Sequence, residues 1–129
     1  MKQKQPMSDS ERELMKIIWE SGGSIFIAEL LEKVEARNKD WKRSTVLTFL
    51  SRLTEKGFIK TEKHGRMNKY IATLLESEYM AEQTTTFLHK VYGGNAKNLV
   101  STLLKQDHLT SKDFEELKRF WKNGGGLDE

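Results

Sequence analysis

The sequence contains no cysteine. Disulfides, thiolate nucleophiles and Cys-based metal sites are therefore excluded. Its three histidines, His64, His89 and His108, stand far apart and none falls in a ligand pattern such as H-E-x-x-H. There is no G-x-S-x-G, no phosphate-binding loop and no glycine-rich dinucleotide turn. Gly22-Gly23, Gly93-Gly94 and Gly124-Gly125-Gly126 read instead as helix ends and a frayed tail. The expectation is a protein that is not an enzyme and holds no cofactor or metal. No apolar run approaches the roughly 20 residues of a membrane span, and the polar opening MKQKQPM has no apolar segment behind it. A soluble, cytoplasmic protein without membrane insertion is expected. At 129 residues the chain fits one domain, or a small domain with an appendage, and can bury a real core.

What is present is an uneven distribution of charge. Met1 to Asn38 carries six Lys or Arg against seven Asp or Glu, and Tyr70 to Glu129 carries seven against nine. Lys39 to Lys69 carries nine against three. All the net positive charge of the chain, +3 in total, thus originates in one central window. Such asymmetry is an electrostatic footprint for a polyanion; a solvated basic surface is the plain alternative.

Hydrophobic periodicity and cap signals predict an ordered run of elements. Ser8-Asp9-Ser10-Glu11 and Ser10-Glu11-Arg12-Glu13 both fit a capping box, so a first helix should open at Ser8 or Ser10. Its inner face holds Leu14, Ile17, Ile18 and Ser21. Ser24-Ile25-Phe26 suits a single extended turn or a small strand. A second helix over Ile27 to Arg37 should bury Ala28, Leu31 and Val34 or near neighbours, and Asn38-Lys39-Asp40 breaks it. A third, from Ser44 to Lys56, sets Val46, Phe49, Leu50 and Leu53 at i, i+3, i+4 and i+7, with Gly57 as its left-handed terminator. The period then changes to that of strands over Phe58 to Lys63 and Asn68 to Ala72, joined by a turn at His64-Gly65-Arg66-Met67. Helices over Glu76 to Tyr92 and Ala96 to Lys105 follow, and Thr110 or Ser111 caps a last one. Three helices followed by a hairpin with Lys63, His64, Arg66 and Lys69 at its tip have the order of a winged helix.

The third helix has an unusual outer face. Ser44, Thr45, Thr48, Ser51 and Arg52 occupy it, with Lys42 and Arg43 just ahead, although Ser and Thr are poorer helix formers than Glu, Lys or Gln. In a helix-turn-helix the second paired helix lies in the DNA major groove, where small hydroxyl side chains permit close approach to bases and phosphates. Thr45, Thr48 and Arg52 fall within a sector of about 60°. Arg52 is the candidate for bidentate guanine contact or phosphate clamping, and Thr45 and Thr48 for close base contacts. Lys42, Arg43, Lys63 and Arg66 would mostly hold phosphates. The plain alternatives pair Arg52 with Glu55 or Glu62 and use Ser44 and Thr45 as helix caps.

The C-terminal helices carry much apolar surface with no sheet left to cover. Met80, Thr84, Phe87, Leu88 and Val91 share one side of the long helix; Leu99, Val100, Leu103 and Leu104 follow, then Phe114, Leu117, Phe120 and Trp121. Self-association as a two-fold dimer would bury this surface; folding back on the N-terminal domain is the alternative. The fold class expected is mainly α with a small β-hairpin: a winged helix-turn-helix DNA-binding domain over residues 1–74 and a helical dimerisation domain over 75–129.

The order and identity of these residues resemble the penicillinase-repressor (BlaI/MecI/CopY) family of bacterial winged-helix regulators. The matching features are Glu11 to Trp19 (ERELMKIIW), the S-T-V-x-T-x-L-x-R-L-x-x-K-G pattern within Trp41 to Gly57, Gly65-Arg66 with Tyr70 following, Glu78-Tyr79, Phe87-Leu88 before Gly93-Gly94, and Asn98-Leu99-Val100. The resemblance implies a repressor that binds a palindromic operator as a homodimer. It places Thr45, Thr48 and Arg52 in a DNA-contacting helix and Gly65-Arg66 in the wing. Tyr79, Phe87, Leu88, Val91, Leu99, Val100, Leu103, Leu104 and Leu117 are the expected dimerisation residues. Copper-responsive members carry a Cys-rich C-terminal motif that this chain lacks. β-Lactam-responsive members are inactivated by cleavage of an Asn-Phe bond, which implies a sensor-linked protease as a partner. The equivalent position here is Thr102-Leu103, and the nearest Asn-apolar pair, Asn98-Leu99, lies one turn earlier.

Two other functions fit the same fold. A winged helix can serve protein contacts alone, although such a module would not need nine basic residues against three acidic in the window holding its third helix and hairpin. A regulator gated by a small molecule could line its site with Trp19, Phe26 and Trp41, which core packing explains equally well.

Overall fold

A computed structural model describes residues 5–37 and 40–124. The elements run α1 (Asp9–Glu20), β1 (Ser24–Phe26), α2 (Ile27–Ala36), α3 (Arg43–Glu55), β2 (Ile59–His64), β3 (Met67–Ala72), α4 (Glu76–Tyr92), α5 (Ala96–Lys105) and α6 (Ser111–Lys122). The chain divides into two compact units, one ending at Met80 and the other beginning at Ala81. The expected helix break at Asn38-Lys39 and the glycines at 125 and 126 lie outside the described residues.

The first unit is a winged helix. Ser8 caps α1 through a complete capping box: its hydroxyl accepts from the Glu11 N–H at 3.1 Å, and Glu11 Oε1 accepts from the Ser8 N–H at 3.0 Å. Leu14, Met15, Ile17 and Ile18 of α1 are buried against Leu30 and Val34 of α2 and Val46, Leu50 and Leu53 of α3. Removing each such side chain from water contributes about 1.5–3 kcal/mol. Two expectations for the inner faces are corrected. Ala28 is exposed and its near neighbour Leu30 takes the buried place in α2, with Leu31 half-buried, because the core-facing stripe runs through Leu30 and Val34. Met15 joins the core face of α1, which is thus wider than the four-residue spacing suggested.

Helix α3 ends in a Schellman motif. Phe58 N–H donates to the Leu53 carbonyl at 2.9 Å and Gly57 N–H to that of Thr54 at 3.0 Å, with Gly57 at φ +86°. This reversal drops the Phe58 ring into the core, where it meets Tyr79 edge-on at 5.8 Å. The small-strand option for Ser24–Phe26 is the one adopted. The sheet order is β1-β3-β2, antiparallel throughout, with Ile25 opposite Tyr70 and Thr61 opposite Tyr70 on the other side. Strands β2 and β3 pair from Ile59↔Ala72 to His64↔Met67, leaving Gly65 and Arg66 as a two-residue turn. Gly65 has φ +65°, as the first position of a type II′ hairpin turn requires.

The ionic contact that locks α1 to α3 was not expected. The Glu11 side chain is 1% exposed, and Lys56 Nζ, at the end of α3, donates to its Oε1 at 2.6 Å. The same ammonium reaches the Pro6 carbonyl at 3.0 Å. Burial by itself would raise the Glu11 carboxyl, but the hydrogen bonds from Lys56 and the Ser8 N–H, with the charges of Lys56 and Arg52, outweigh it. The group therefore lies below its ordinary value of 4.5.

In the second unit each helix has a defined cap. Gly93 and Gly94, at φ +58° and +87°, stop α4. The Asn95 side chain accepts from the Asn98 N–H at 2.9 Å to open α5. Thr110 and Asp113 form a reciprocal capping box on α6. Among the described residues from Ala81 onward, none is buried.

Three outcomes follow from this architecture. Because the Glu11 pKa is depressed on folding, its stabilisation is fully present above pH 4.5 and is lost as pH falls through the lowered folded-state value. Glu11→Gln should therefore flatten the acid limb of a stability-versus-pH curve measured by denaturant unfolding. Lys56→Met, which strands the buried carboxylate, should cost about 3 kcal/mol or more at neutral pH. Gly65→Val meets no neighbouring atoms, yet the positive φ should cost about 1–2 kcal/mol. Faster amide exchange confined to β2 and β3 would register it.

Candidate nucleic-acid interface

Helix α3 owes its position to its two faces. Val46, Leu50 and Leu53 are buried, and Phe49 is half-buried with its ring edge-on to Trp41 at 5.1 Å. The opposite face is left to solvent. Lys42 is the N-cap residue and makes no side-chain capping bond, so neither Ser44 nor Thr45 serves as the cap. Lys42, Arg43, Ser44, Thr48, Ser51 and Arg52 are exposed and Thr45 is half-buried. The Thr48 hydroxyl donates to the Ser44 carbonyl at 3.0 Å. That bond leaves the hydroxyl oxygen's lone pairs free to accept.

Arg52 pairs with neither of the carboxylates suggested for it. Among the described residues no ion pair within 4.0 Å involves it, and Glu62 instead contacts His64 Nε2 at 3.1 Å. Arg52 and Lys56 stand side by side with Glu55 and Gln5 around a shallow hollow. Lys56 is committed to Glu11, whereas the Arg52 guanidinium remains open to an incoming acceptor.

The hairpin supplies the second set of cations. In β2 only Ile59 is buried; Lys60, Thr61, Glu62, Lys63 and His64 are all exposed. Arg66 sits in the turn itself and Lys63 lies opposite Asn68. Among the described residues Lys42, Arg43, Lys60, Lys63 and Arg66 form no ion pair. A basic surface whose cations lack internal carboxylates keeps its positive field toward solvent.

The stem of the wing is braced by a contact that the sequence pattern did not reveal. Phe26 of β1 lies opposite Lys69 of β3. The Lys69 ammonium sits 5.5 Å from the Phe26 ring centroid, and the His64 ring meets Phe26 edge-on at 5.5 Å. Strand pairing across β1 and β3 creates this cluster, so no local signal points to it. Phe26 is thereby separated in role from the two tryptophans. Trp19 packs on Tyr79 at 5.7 Å and donates from Nε1 to the Leu74 carbonyl at 3.0 Å, while Trp41 packs on Phe49. Each of the three aromatic residues suggested for a ligand site engages a neighbour of its own.

Of the residues assigned to dimerisation, Tyr79 is placed elsewhere. It is 7% exposed, in the core of the winged helix with Trp19 and Phe58; it opens α4 on the side that packs inward, and burial pushes its phenol above the ordinary value. In the second unit Phe87, Val91, Val100, Leu104 and Leu117 are exposed, and Leu88, Leu99 and Leu103 half-buried. Phe114, Phe120 and Trp121 are exposed as well. Thr102 and Leu103 lie inside α5, where the Thr102 hydroxyl donates to the Asn98 carbonyl at 3.1 Å. Among the described residues no group of three or more His, Cys, Asp or Glu could hold a metal ion, and no helix is long and apolar enough to cross a membrane.

Comparison with known proteins gives concordant results. The family model described as penicillinase repressor matches residues 7–123. The penicillinase repressor of Bacillus licheniformis is 32% identical over 117 residues, spanning 91% of this chain and 90% of the relative. The methicillin resistance regulatory protein MecI of Staphylococcus aureus is 30% identical over 112 residues, 87% of this chain and 89% of the relative. Among solved structures, the DNA-binding domain of the repressor BlaI superposes with a TM-score of 0.52 at 35% identity, covering 61% of this chain and 94% of that domain. Monomeric Bacillus licheniformis BlaI in complex with the blaP half-operator gives a TM-score of 0.51 at 34% identity, again covering 61% and 94%.

Proposed function

This chain belongs to the penicillinase repressor family, as a DNA-binding transcriptional repressor rather than an enzyme, and on that premise we propose that it acts as a cytoplasmic homodimer on a palindromic operator. The observation that carries the proposal is the pairing of a hydroxyl- and Arg-bearing α3 face with wing cations that have no carboxylate partners among the described residues. A relative's winged helix has been seen on its half-operator.

Each subunit presents α3 to the major groove. Arg52 makes a bidentate contact to guanine or clamps a phosphate, and Thr45 and Thr48 approach base edges. Lys42, Arg43, Lys63 and Arg66 hold phosphates, which supply affinity and register without sequence information. Two such helices one turn of duplex apart, about 34–36 Å, read the two half-sites.

The two-fold contact is made by the helical region that follows the wing, the Tyr79 side chain excepted. Phe87, Leu88, Val91, Leu99, Val100, Leu103, Leu104 and Leu117 form it. A three-helix unit with no buried residue has no core of its own, and a second copy supplies the missing partner for this surface. Dimerisation makes binding of the second half-site effectively intramolecular, so loss of the dimer weakens operator binding by about 10²-fold or more. Disruption around Lys97 to Lys105 would therefore release DNA without touching a DNA contact. Cleavage by a sensor-linked protease at Thr102-Leu103 is one such route, in a response to β-lactams or cell-wall stress. It requires α5 to unwind first, because that bond is helical.

Fluorescence anisotropy with duplex from the DNA upstream of its own gene, against scrambled duplex at two salt concentrations, tests the DNA assignment. Arg52→Ala should cost about 1–3 kcal/mol on the preferred duplex and relax specificity at one base pair. Lys63→Ala should weaken all duplexes alike and lower the salt slope by about one. Unchanged binding in both would place the interface elsewhere. Val100→Glu with Leu104→Glu should convert the dimer to monomer in sedimentation and reduce operator affinity by about 10²-fold or more, while binding to a single half-site is retained.

A further inference from the structure

One side chain on the outer side of α3 does not fit the polar pattern around it. Leu47 is 38% exposed and is the only large hydrophobic exposed on this helix. It belongs neither to the buried core nor to the half-buried hydrophobics packed against it. It is the fifth residue of α3 (Arg43–Glu55), in the N-terminal half of the helix, the half that contacts base edges in helix-turn-helix docking. At 100° per residue Leu47 extends the reading face past Ser44 and Ser51, so that the face runs over about 160° from Thr45 to Leu47. A helix seated in a major groove about 12 Å wide is flanked by DNA on both sides. Arg52 and Thr45 face one flank and Leu47 the other.

Chemistry decides what Leu47 can recognise there. An aliphatic side chain donates and accepts no hydrogen bond, so it cannot satisfy a guanine, adenine or cytosine edge. The one apolar group displayed in the major groove is the thymine C5-methyl. We propose that Leu47 is a specificity-determining residue that reads a thymine methyl in each half-site. Its neighbours support such a contact: Ser44 and Ser51, three residues before and four after, are short enough to let the leucine reach the groove floor. A base pair without the methyl leaves Leu47 against water or an unsatisfied polar edge, which discriminates against it.

This inference rests on α3 being the groove-binding helix, and the test separates the two. The probe is the tightest-binding duplex from the DNA upstream of the gene, with each thymine replaced in turn by uracil, which removes the methyl and leaves base pairing intact. Wild type, Leu47→Ala, Thr48→Ala and Thr45→Ala are titrated against every duplex. The expected result is one thymine per half-site whose replacement weakens wild type about three- to fivefold, the scale of one buried methyl, yet leaves Leu47→Ala unaffected. Thr48→Ala and Thr45→Ala should retain that sensitivity. Wild type indifferent to every uracil, or a uracil penalty that persists in Leu47→Ala and vanishes in a threonine variant, overturns the role of Leu47 while leaving operator binding intact. Failure of wild type to prefer any duplex overturns the groove assignment beneath it.

Discussion

The contact between Glu11 and Lys56 fixes the start of α1 against the end of α3. Glu11 does two things with one carboxylate: it completes the capping box that starts α1 and accepts the ammonium that ends α3. A buried carboxylate is tolerated only when its lone pairs are filled, so the entry of α1, the exit of α3 and the chain at Pro6 are fixed relative to one another. Lys56 is followed at once by the Schellman turn that seats Phe58, and Phe58 in turn seats Tyr79. Arg52 stands one turn before Lys56 and feels the same buried charge. Arg52 therefore lies on the segment of α3 that this buried ion pair anchors.

The basic surface has a division of labour that follows from which cations are already satisfied. Lys56 is committed to Glu11, Lys33 lies 3.7 Å from Glu29, Arg37 pairs with Glu20, and Lys69 lies over Phe26. Those groups build and brace the domain. Lys42, Arg43, Arg52, Lys60, Lys63 and Arg66 have no such commitments among the described residues, and they are the ones on the outer face of α3 and on the wing. Pairing with β1 and the Phe26–Lys69–His64 contacts tie the hairpin into a three-stranded sheet, where a bare two-stranded ribbon would be marginal in water. In the proposed operator complex, long-range positive charge draws DNA in and the short groups on α3 discriminate among sequences.

The second unit follows a different physical logic. Helices α5 and α6 are well capped and strongly amphipathic, yet none of the unit's described residues is buried. Good caps specify where a helix starts and stops; they do not supply the apolar burial that makes a short helix stable in water. Stability of this unit is thus coupled to whatever covers Val100, Leu104, Leu117, Phe120 and Trp121. In the proposed dimer, this coupling makes DNA affinity responsive to events far from the DNA.

By itself the sequence determined the element order, the helix boundaries to within a residue or two, and the polar face of α3. Those features depend on local rules: a Ser8 capping box, a glycine at positive φ after Lys56, a two-residue turn at Gly65-Arg66, and apolar residues at helical spacing. Tertiary structure alone decided that Glu11 is buried and paired with a lysine 45 residues away, that Phe26 braces the wing, and that Tyr79 belongs to the winged-helix core. Each of these depends on which distant side chain arrives opposite, and on whether a polar or apolar group finds its partner after packing. Local periodicity carries no information about either.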